Sequence, residues 1–284
     1  LLWYRLLPNA TYRMGILIGI ILLCLPLLVM LSKWLNDKRQ QDIHPYRLIA
    51  LSLVLLVFLV GGVIVSTKIG GGGDLHNLDA FIVFFLLISV SLLTGTYKTE
   101  HANHPLRELK LNGFWFLMLV LVPVFFAFQH LVVWNFETSR QAMGELEKLN
   151  QALQIVKDNE GKMLFISNRQ LQTFHLVPEF ELIPEYEKDI LMEMAMAKNE
   201  PYLKTFDEEI MAGRFTAVLV DQLNYNHQTR KNGFGEENNA WLDHVLLPLA
   251  DHYVVGYSDA GKDINLLVRK DATELLDALR KLQN

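Results

Sequence analysis

Four long apolar runs without a single Asp, Glu, Lys or Arg constrain this chain more than any other feature. They occupy residues 14–32, 48–66, 80–97 and 113–134. About 20 apolar residues in a helix span the hydrocarbon core of a bilayer. Helices of a soluble core are usually shorter and carry an apolar stripe, not apolar residues all round. The runs therefore read as four transmembrane helices. Pro26 and Pro123 interrupt two of them and predict kinks. Trp34, Tyr46, Tyr97, Trp115 and Trp134 fall near run ends, at the depth that amphipathic rings favour.

The charge is divided as unevenly as the hydropathy. Residues 1–135 carry a net charge of about +4 and residues 136–284 about −9. This excludes a single soluble domain, a disordered chain and a nucleic-acid binder built on a basic surface. Cys24 is the only cysteine, so no intrachain disulfide and no Cys-based zinc site can form. The apolar start at Leu1 has no basic segment or cleavage site and does not read as a signal peptide; the chain reads as the later part of a longer protein. Lys33, Lys38, Arg39 and Arg47 lie between the first two runs, and Lys98, Arg107 and Lys110 between the last two. The positive-inside rule puts these loops in the cytoplasm. The 67–79 loop and everything after residue 135 then face outward.

Residues 136–284 have the size of one soluble domain. Residues 138–158 show helical spacing. Residues 162–166, 179–183, 214–220, 252–257 and 264–268 read as strands, and 187–198, 202–212, 240–250 and 271–282 as helices. Ser167 and Asn168 offer helix caps, as does Asp271. The alternation predicts an α/β domain with a largely parallel sheet. The expected fold is thus an α-helical transmembrane bundle over 1–135, followed by a soluble α/β domain over 136–284.

The sharpest local feature joins the second and third runs. Lys68 precedes Gly70, Gly71, Gly72 and Gly73, followed by Asp74, His76, Asn77 and Asp79. Consecutive glycines let backbone N–H groups converge on an anion, and a lysine adds a point charge for phosphate. The Gly-Lys-Ser/Thr ending of a Walker A loop is absent. The same residues also describe a flexible loop beside a snorkelling lysine. His76, Asp74 and Asp79 are either ligands for a divalent cation or polar residues bonding at the membrane interface. The His101/His104 pair has no evident further ligand. His130 and Gln129 should face the bundle or the interface. Asp221 closes a strand, where α/β domains often contact ligands. Asn9-Ala10-Thr11 matches a glycosylation sequon.

A charged residue closing one span, a short loop, a His- and Asn-containing entry to the next span and an apolar helix ending Leu92-Leu93-Thr94-Gly95 resemble the late transmembrane region of the GT-C glycosyltransferases. These are integral membrane enzymes related to protein mannosyltransferases and lipid A aminoarabinose transferases. The resemblance covers residues 10–135 and the order of the domains, since some bacterial members also end in an extracytoplasmic α/β domain. It implies a polyprenyl-phosphate-linked sugar as donor, an extracytoplasmic acceptor and a bacterial plasma-membrane location. Lys68 carries over as the cation near the lipid phosphate. Asn77, His76 and Asp74 carry over as candidates for lining the cavity. Gly70–Gly73 stand where many members have a Pro- and Tyr-containing segment. The family's catalytic acid lies in its first outward loop, which this sequence does not contain. Inversion at an anomeric carbon would need a base for the acceptor hydroxyl and cations for the leaving phosphate. The competing reading is a non-enzymatic protein whose spans anchor an outward α/β binding or sensor domain. A transporter is disfavoured by the scarcity of polar residues within the runs.

Overall fold

The computed structural model describes residues 2–36, 44–68, 75–94, 113–128, 136–259, 261 and 263–283 of the 284-residue chain. The chain divides into two compact units, Leu1–Val133 and Trp134–Asn284.

The first unit is helical. A short 3₁₀ turn at Trp3–Leu6 precedes α1 (Ile16–Asn36), α2 (Pro45–Ser66), α3 (Asp79–Thr94) and α4 (Gly113–Phe128). Among the described residues, three segments are long and apolar enough to cross a membrane: Ile16–Lys33, Pro45–Ser66 and His76–Thr94. The expected fourth span is only partly matched. The apolar helix α4 has 16 residues, and residues 129–134 lie outside the described residues. Pro45 opens α2, where its missing N–H costs nothing. Thr67 closes α2: its hydroxyl donates to the carbonyls of Val63 and Ile64, at 3.1 and 3.0 Å. Pro26 and Pro123 lie inside α1 and α4, and each removes one rung of the helical ladder. Ile16, Ile20, Cys24, Leu27, Leu78 and Phe85 form the buried seam of this unit. Most other apolar side chains point outward; Leu53, Val57 and Val60 of α2 are all exposed, which suits a lipid-facing helix.

The second unit contains α5 (Phe136–Asp158), β1 (Met163–Phe165), α6 (Gln170–Thr173), α7 (Lys188–Ala197), α8 (Glu200–Met211), β2 (Ala217–Val220), α9 (Gly235–Trp241), α10 (Leu247–His252), β3 (Tyr253–Ser258), β4 (Asn265–Arg269) and α11 (Thr273–Gln283). The four strands form one sheet in the order β1-β2-β4-β3. Alternate strand residues feed two cores. Leu164, Val218, Val220 and Leu267 pack with Leu191, Phe206, Ile210, Trp241 and Leu249 on one face. Phe165, Leu219, Leu266 and Val268 pack with Leu153 and Val156 of α5 and Leu276 and Leu279 of α11 on the other. Helices on both faces explain why the strands read as unbroken apolar runs.

The expected largely parallel sheet is corrected to a mixed one. Only β1 and β2 are parallel; β2–β4 and β3–β4 are antiparallel. The β3–β4 connection is too short for a helical crossover, so that pair can only be antiparallel. The strand expected at 179–183 is absent. Pro178 and Pro184 flank it, and its backbone bonds to side chains instead of a ladder. Phe180 N–H donates to Gln172 Oε1 at 3.0 Å, and Arg169 donates to Ile183 O at 2.5 Å. Ser167 caps no helix: α6 begins after Arg169, and the Ser167 hydroxyl accepts from Asp221 N–H. Asn168 adopts a left-handed conformation, φ 59°. Asp271 instead pairs with Arg269, which holds its carboxyl below the usual range.

Buried tyrosines make this unit sensitive to alkali. Tyr253 donates to Phe215 O at 2.7 Å, and burial pushes its phenol up to about 12. Burial, then the carboxylates of Glu145 and Asp259, raises Tyr257 to about 12. Burial, then Glu185, does the same for Tyr202. An unfolded tyrosine ionises near pH 10. The folded state therefore keeps its proton longer. The resulting stability is complete below pH 10 and is lost as pH rises from 10 to 12. Denaturant midpoints of the second unit should fall steeply across that interval; midpoints flat from pH 9 to 12 would contradict it.

Candidate functional site

The first unit holds an apolar cavity of about 500 Å³ among α1, α3 and α4. Leu23, Cys24 and Leu27 of α1, Ile82, Phe85 and Leu86 of α3, and Leu119 and Phe126 of α4 line it. Pro26 and Pro123 also line it, so both interrupted helices turn their weakened segment toward the same space. The volume lies within the usual range for small-molecule pockets. Among the described residues that line it, Tyr12, His76 and Asp79 carry the polar side chains.

His76 and Asp79 belong to the entry of α3. A 3₁₀ turn at His76–Leu78 runs directly into the helix. Three-residue spacing brings the side chains together, and His76 Nδ1 lies 2.9 Å from Asp79 Oδ2. Asp79 sits in the first turn of α3, where the helix dipole favours a carboxylate. Both groups are largely exposed, 80% and 62% by side chain, while also lining the cavity. A carboxylate only accepts, so the pair places the proton on Nδ1.

Gly62 makes this entry possible. A Cβ there would stand 2.7 Å from the Asn77 carbonyl oxygen and 2.6 Å from Leu78 Cδ2. Only a glycine lets the turn press against α2 so closely. Leu78 is fully buried in that contact.

The segment before α1 packs over the end of α2. Leu2 N–H donates to Thr67 O at 2.6 Å, and Arg5 Nη1 donates to Lys68 O at 3.3 Å. Arg5 is completely buried. Among the described residues, Ser66 Oγ, Thr11 Oγ1 and Asn77 Nδ2 are buried without a hydrogen-bond partner. Asn9 spends its side chain locally, accepting from Thr11 N–H and Tyr12 N–H and donating to Leu7 O, which turns the chain into α1. This end of the unit is thus polar and the cavity below it is not.

The residues picked from sequence divide accordingly. His76 and Asn77 sit together in the turn at the cavity end. Lys68 is exposed just beyond α2, with its carbonyl tied to Arg5. Gly70, Gly71, Gly72, Gly73 and Asp74 lie outside the described residues, as do His101, His104, Gln129 and His130. Among the described residues no three His, Cys, Asp or Glu side chains converge on a metal position. Arg5 escaped the sequence reading because only the fold-back of the 3₁₀ turn buries it. Of the two roles open to Asp79 from sequence, cation ligand or polar residue bonding at the membrane interface, the described contact is a hydrogen bond to His76, three residues away.

The second unit has a polar cluster of its own, at the end of the sheet where β1 and β2 finish. Lys188 pairs with Asp221, whose N–H donates to Ser167 Oγ. Asn265 Nδ2 donates to Asp221 O at 3.0 Å, and Ser258 Oγ donates to Asn265 Oδ1 at 2.9 Å. One network thus ties the ends of all four strands, and Asp221 holds its centre. No protein-family model matches this chain, and neither does any curated protein or solved structure.

Proposed function

We propose that this protein is an integral membrane glycosyltransferase that moves a sugar from a polyprenyl-phosphate donor to an extracytoplasmic acceptor. The observation that carries the reading is the cavity. It has an apolar wall between α1 and α3, two helices long and apolar enough to cross a membrane, and the shorter apolar helix α4, with an ionisable pair at one end. Such a shape suits a hydrocarbon chain whose polar head emerges at the end of the helices. A water-soluble ligand would leave its polar groups unpaired along most of that wall. In this reading the lipid chain occupies the groove and Lys68 faces the lipid phosphate. The polar end and the second unit face outward, in a bacterial plasma membrane.

The test is binding of polyprenyl phosphate to the protein in lipid nanodiscs. A Lys68→Ala variant should bind about 5- to 30-fold more weakly, because one charge-assisted contact contributes roughly 1–2 kcal/mol at a partly exposed site. The free polyprenol should bind both proteins alike. Equal affinity of wild type and variant for the phosphate would remove Lys68 from the site; no saturable binding to wild type would remove the reading. A second reading, a membrane-anchored α/β binding domain, is favoured by the network around Asp221 at the strand ends.

A further inference from the structure

We propose that the second unit holds a site for a neutral sugar at the carboxyl ends of β1 and β2, built on Asp221 and Lys188. The inference goes beyond the glycosyltransferase reading: it assigns a ligand to the other unit and uses no residue of the groove.

The fold brings the site together. β1 and β2 are the parallel pair, and both end here, at the edge where α/β domains take ligands. Ser167 follows β1, Asp221 follows β2 and Lys188 opens α7, so three segments distant in sequence meet. Backbone bonds fix them. Lys188 N–H donates to Ile166 O at 3.0 Å, and Asp221 N–H donates to Ser167 Oγ at 3.3 Å. Asp221 O accepts from Asn265 Nδ2 at 3.0 Å.

The side chains keep bonding capacity. Lys188 Nζ pairs with Asp221 Oδ2. An ammonium has three protons and a carboxylate two oxygens. Among the described residues, nothing bonds the remaining Lys188 protons or Asp221 Oδ1. The Ser167 hydroxyl accepts from Asp221, yet its own proton has no acceptor among the described residues. Ser167 is only 6% exposed, and a hydroxyl so buried ordinarily delivers its proton. The Lys188 and Asp221 side chains are 45% and 27% exposed, so a ligand can reach them.

Charge decides the ligand. Lys188 repels a cation, Asp221 repels an anion, and the pair sums to zero. The positive end of α7 is already met by Asp189 in its first turn, so a phosphate finds no unmet pole there. What remains is donors on Lys188 and Ser167 beside an acceptor on Asp221. A sugar hydroxyl both donates and accepts, and neighbouring hydroxyls on a ring offer the two side by side. One hydroxyl donates to Asp221 Oδ1 while its neighbour accepts from Lys188 Nζ. Bonds to charged groups are the stronger class, and a neutral ligand brings no ion to desolvate.

The experiment uses the full chain in nanodiscs, titrated with glucose, mannose, galactose and arabinose and read by saturation-transfer NMR. Wild type should bind at least one of them saturably with a Kd of about 1–10 mM, the affinity of a few hydrogen bonds at an open site. Asp221→Asn should weaken that binding about 10-fold or abolish it, and Lys188→Gln should weaken it about fivefold, because each takes a charge out of a bond to the ligand. Lys188 is nearly half exposed, so Lys188→Gln carries the test if Asp221→Asn does not fold. Both variants should bind polyprenyl phosphate as wild type does, since the groove belongs to the other unit. No saturable binding of any of the four sugars by wild type overturns the proposal, as does undiminished binding by either folded variant. Glucose 6-phosphate or glucosamine bound much more tightly than glucose, and lost in the same variants, makes the pair an ion site and also overturns it. Sugar binding by a protein that binds no polyprenyl phosphate upholds this site and overturns the glycosyltransferase reading alone.

Discussion

Leu86→Trp should close the groove and weaken binding of polyprenyl phosphate roughly 60-fold. Leu86 lines the cavity yet is 46% exposed, so an indole can enter the space without displacing the buried seam of α1 and α3. A buried aromatic side chain covers on the order of 200 Å². At about 25 cal/mol per Å², denying half that contact to the lipid costs about 2.5 kcal/mol of binding. The variant should remain folded, since overpacking costs about 1–3 kcal/mol and much of this site is open. Titration of wild type and variant with the same lipid checks the effect. Affinity within threefold of wild type would mean that the lipid does not use the groove.

Phe206→Ala should destabilise the second unit by about 3–5 kcal/mol. Phe206 is completely buried in the core between the sheet and α8. Its ring meets Tyr186 nearly edge-on, with centroids 5.1 Å apart at 68°. Tyr186 in turn donates to Glu209 at 2.8 Å, so the truncation also loosens a buried hydrogen-bonded phenol. For a domain of this size the loss lowers the melting temperature by about 10 °C. Pulse proteolysis across a urea series measures it. A cost under about 1 kcal/mol would show that Phe206 is not part of a close-packed core. Lipid binding should survive the substitution, because Phe206 belongs to a different unit from the groove.

How far the residues alone foretold this structure depends on how local each determinant is. The three helices long and apolar enough to span were legible because a contiguous apolar run needs no knowledge of its neighbours. The expected boundaries at 48–66 differ from Pro45–Ser66 only at the start, where Pro45 opens the helix. β1, β2, β3 and β4 were legible for the same reason. Their pairing was not, since parallel or antiparallel order is set by the connections and not by the strands. The false strand at 179–183 has the right residues, but its backbone partners are the side chains of Gln172 and Arg169, which no local pattern encodes.

The candidate site follows the same rule. His76, Asn77 and Lys68 stood out by residue type beside an apolar run. The pairing of His76 with Asp79 is local, a contact between residues three apart. The groove is not local. It depends on Pro26 and Pro123 facing one space from two helices nearly a hundred residues apart in sequence. The burial of Arg5 likewise depends on a contact with Lys68, 63 residues away. Asp221 was singled out as a strand-end residue, and Lys188, Ser167 and Asn265 join it only through the sheet.

The central claim is that the groove among α1, α3 and α4 holds a lipid chain with its head beside His76. Photo-crosslinking tests it most directly, using a polyprenyl phosphate that carries a diazirine along its chain, with the protein in nanodiscs and the labelled residues read by mass spectrometry. The account predicts labels concentrated at Leu23–Leu27, Ile82–Leu86 and Leu119–Phe126, removed by excess unlabelled polyprenyl phosphate. Labels spread over the exposed side chains of α2, such as Leu53 and Val57, and indifferent to competitor would contradict it.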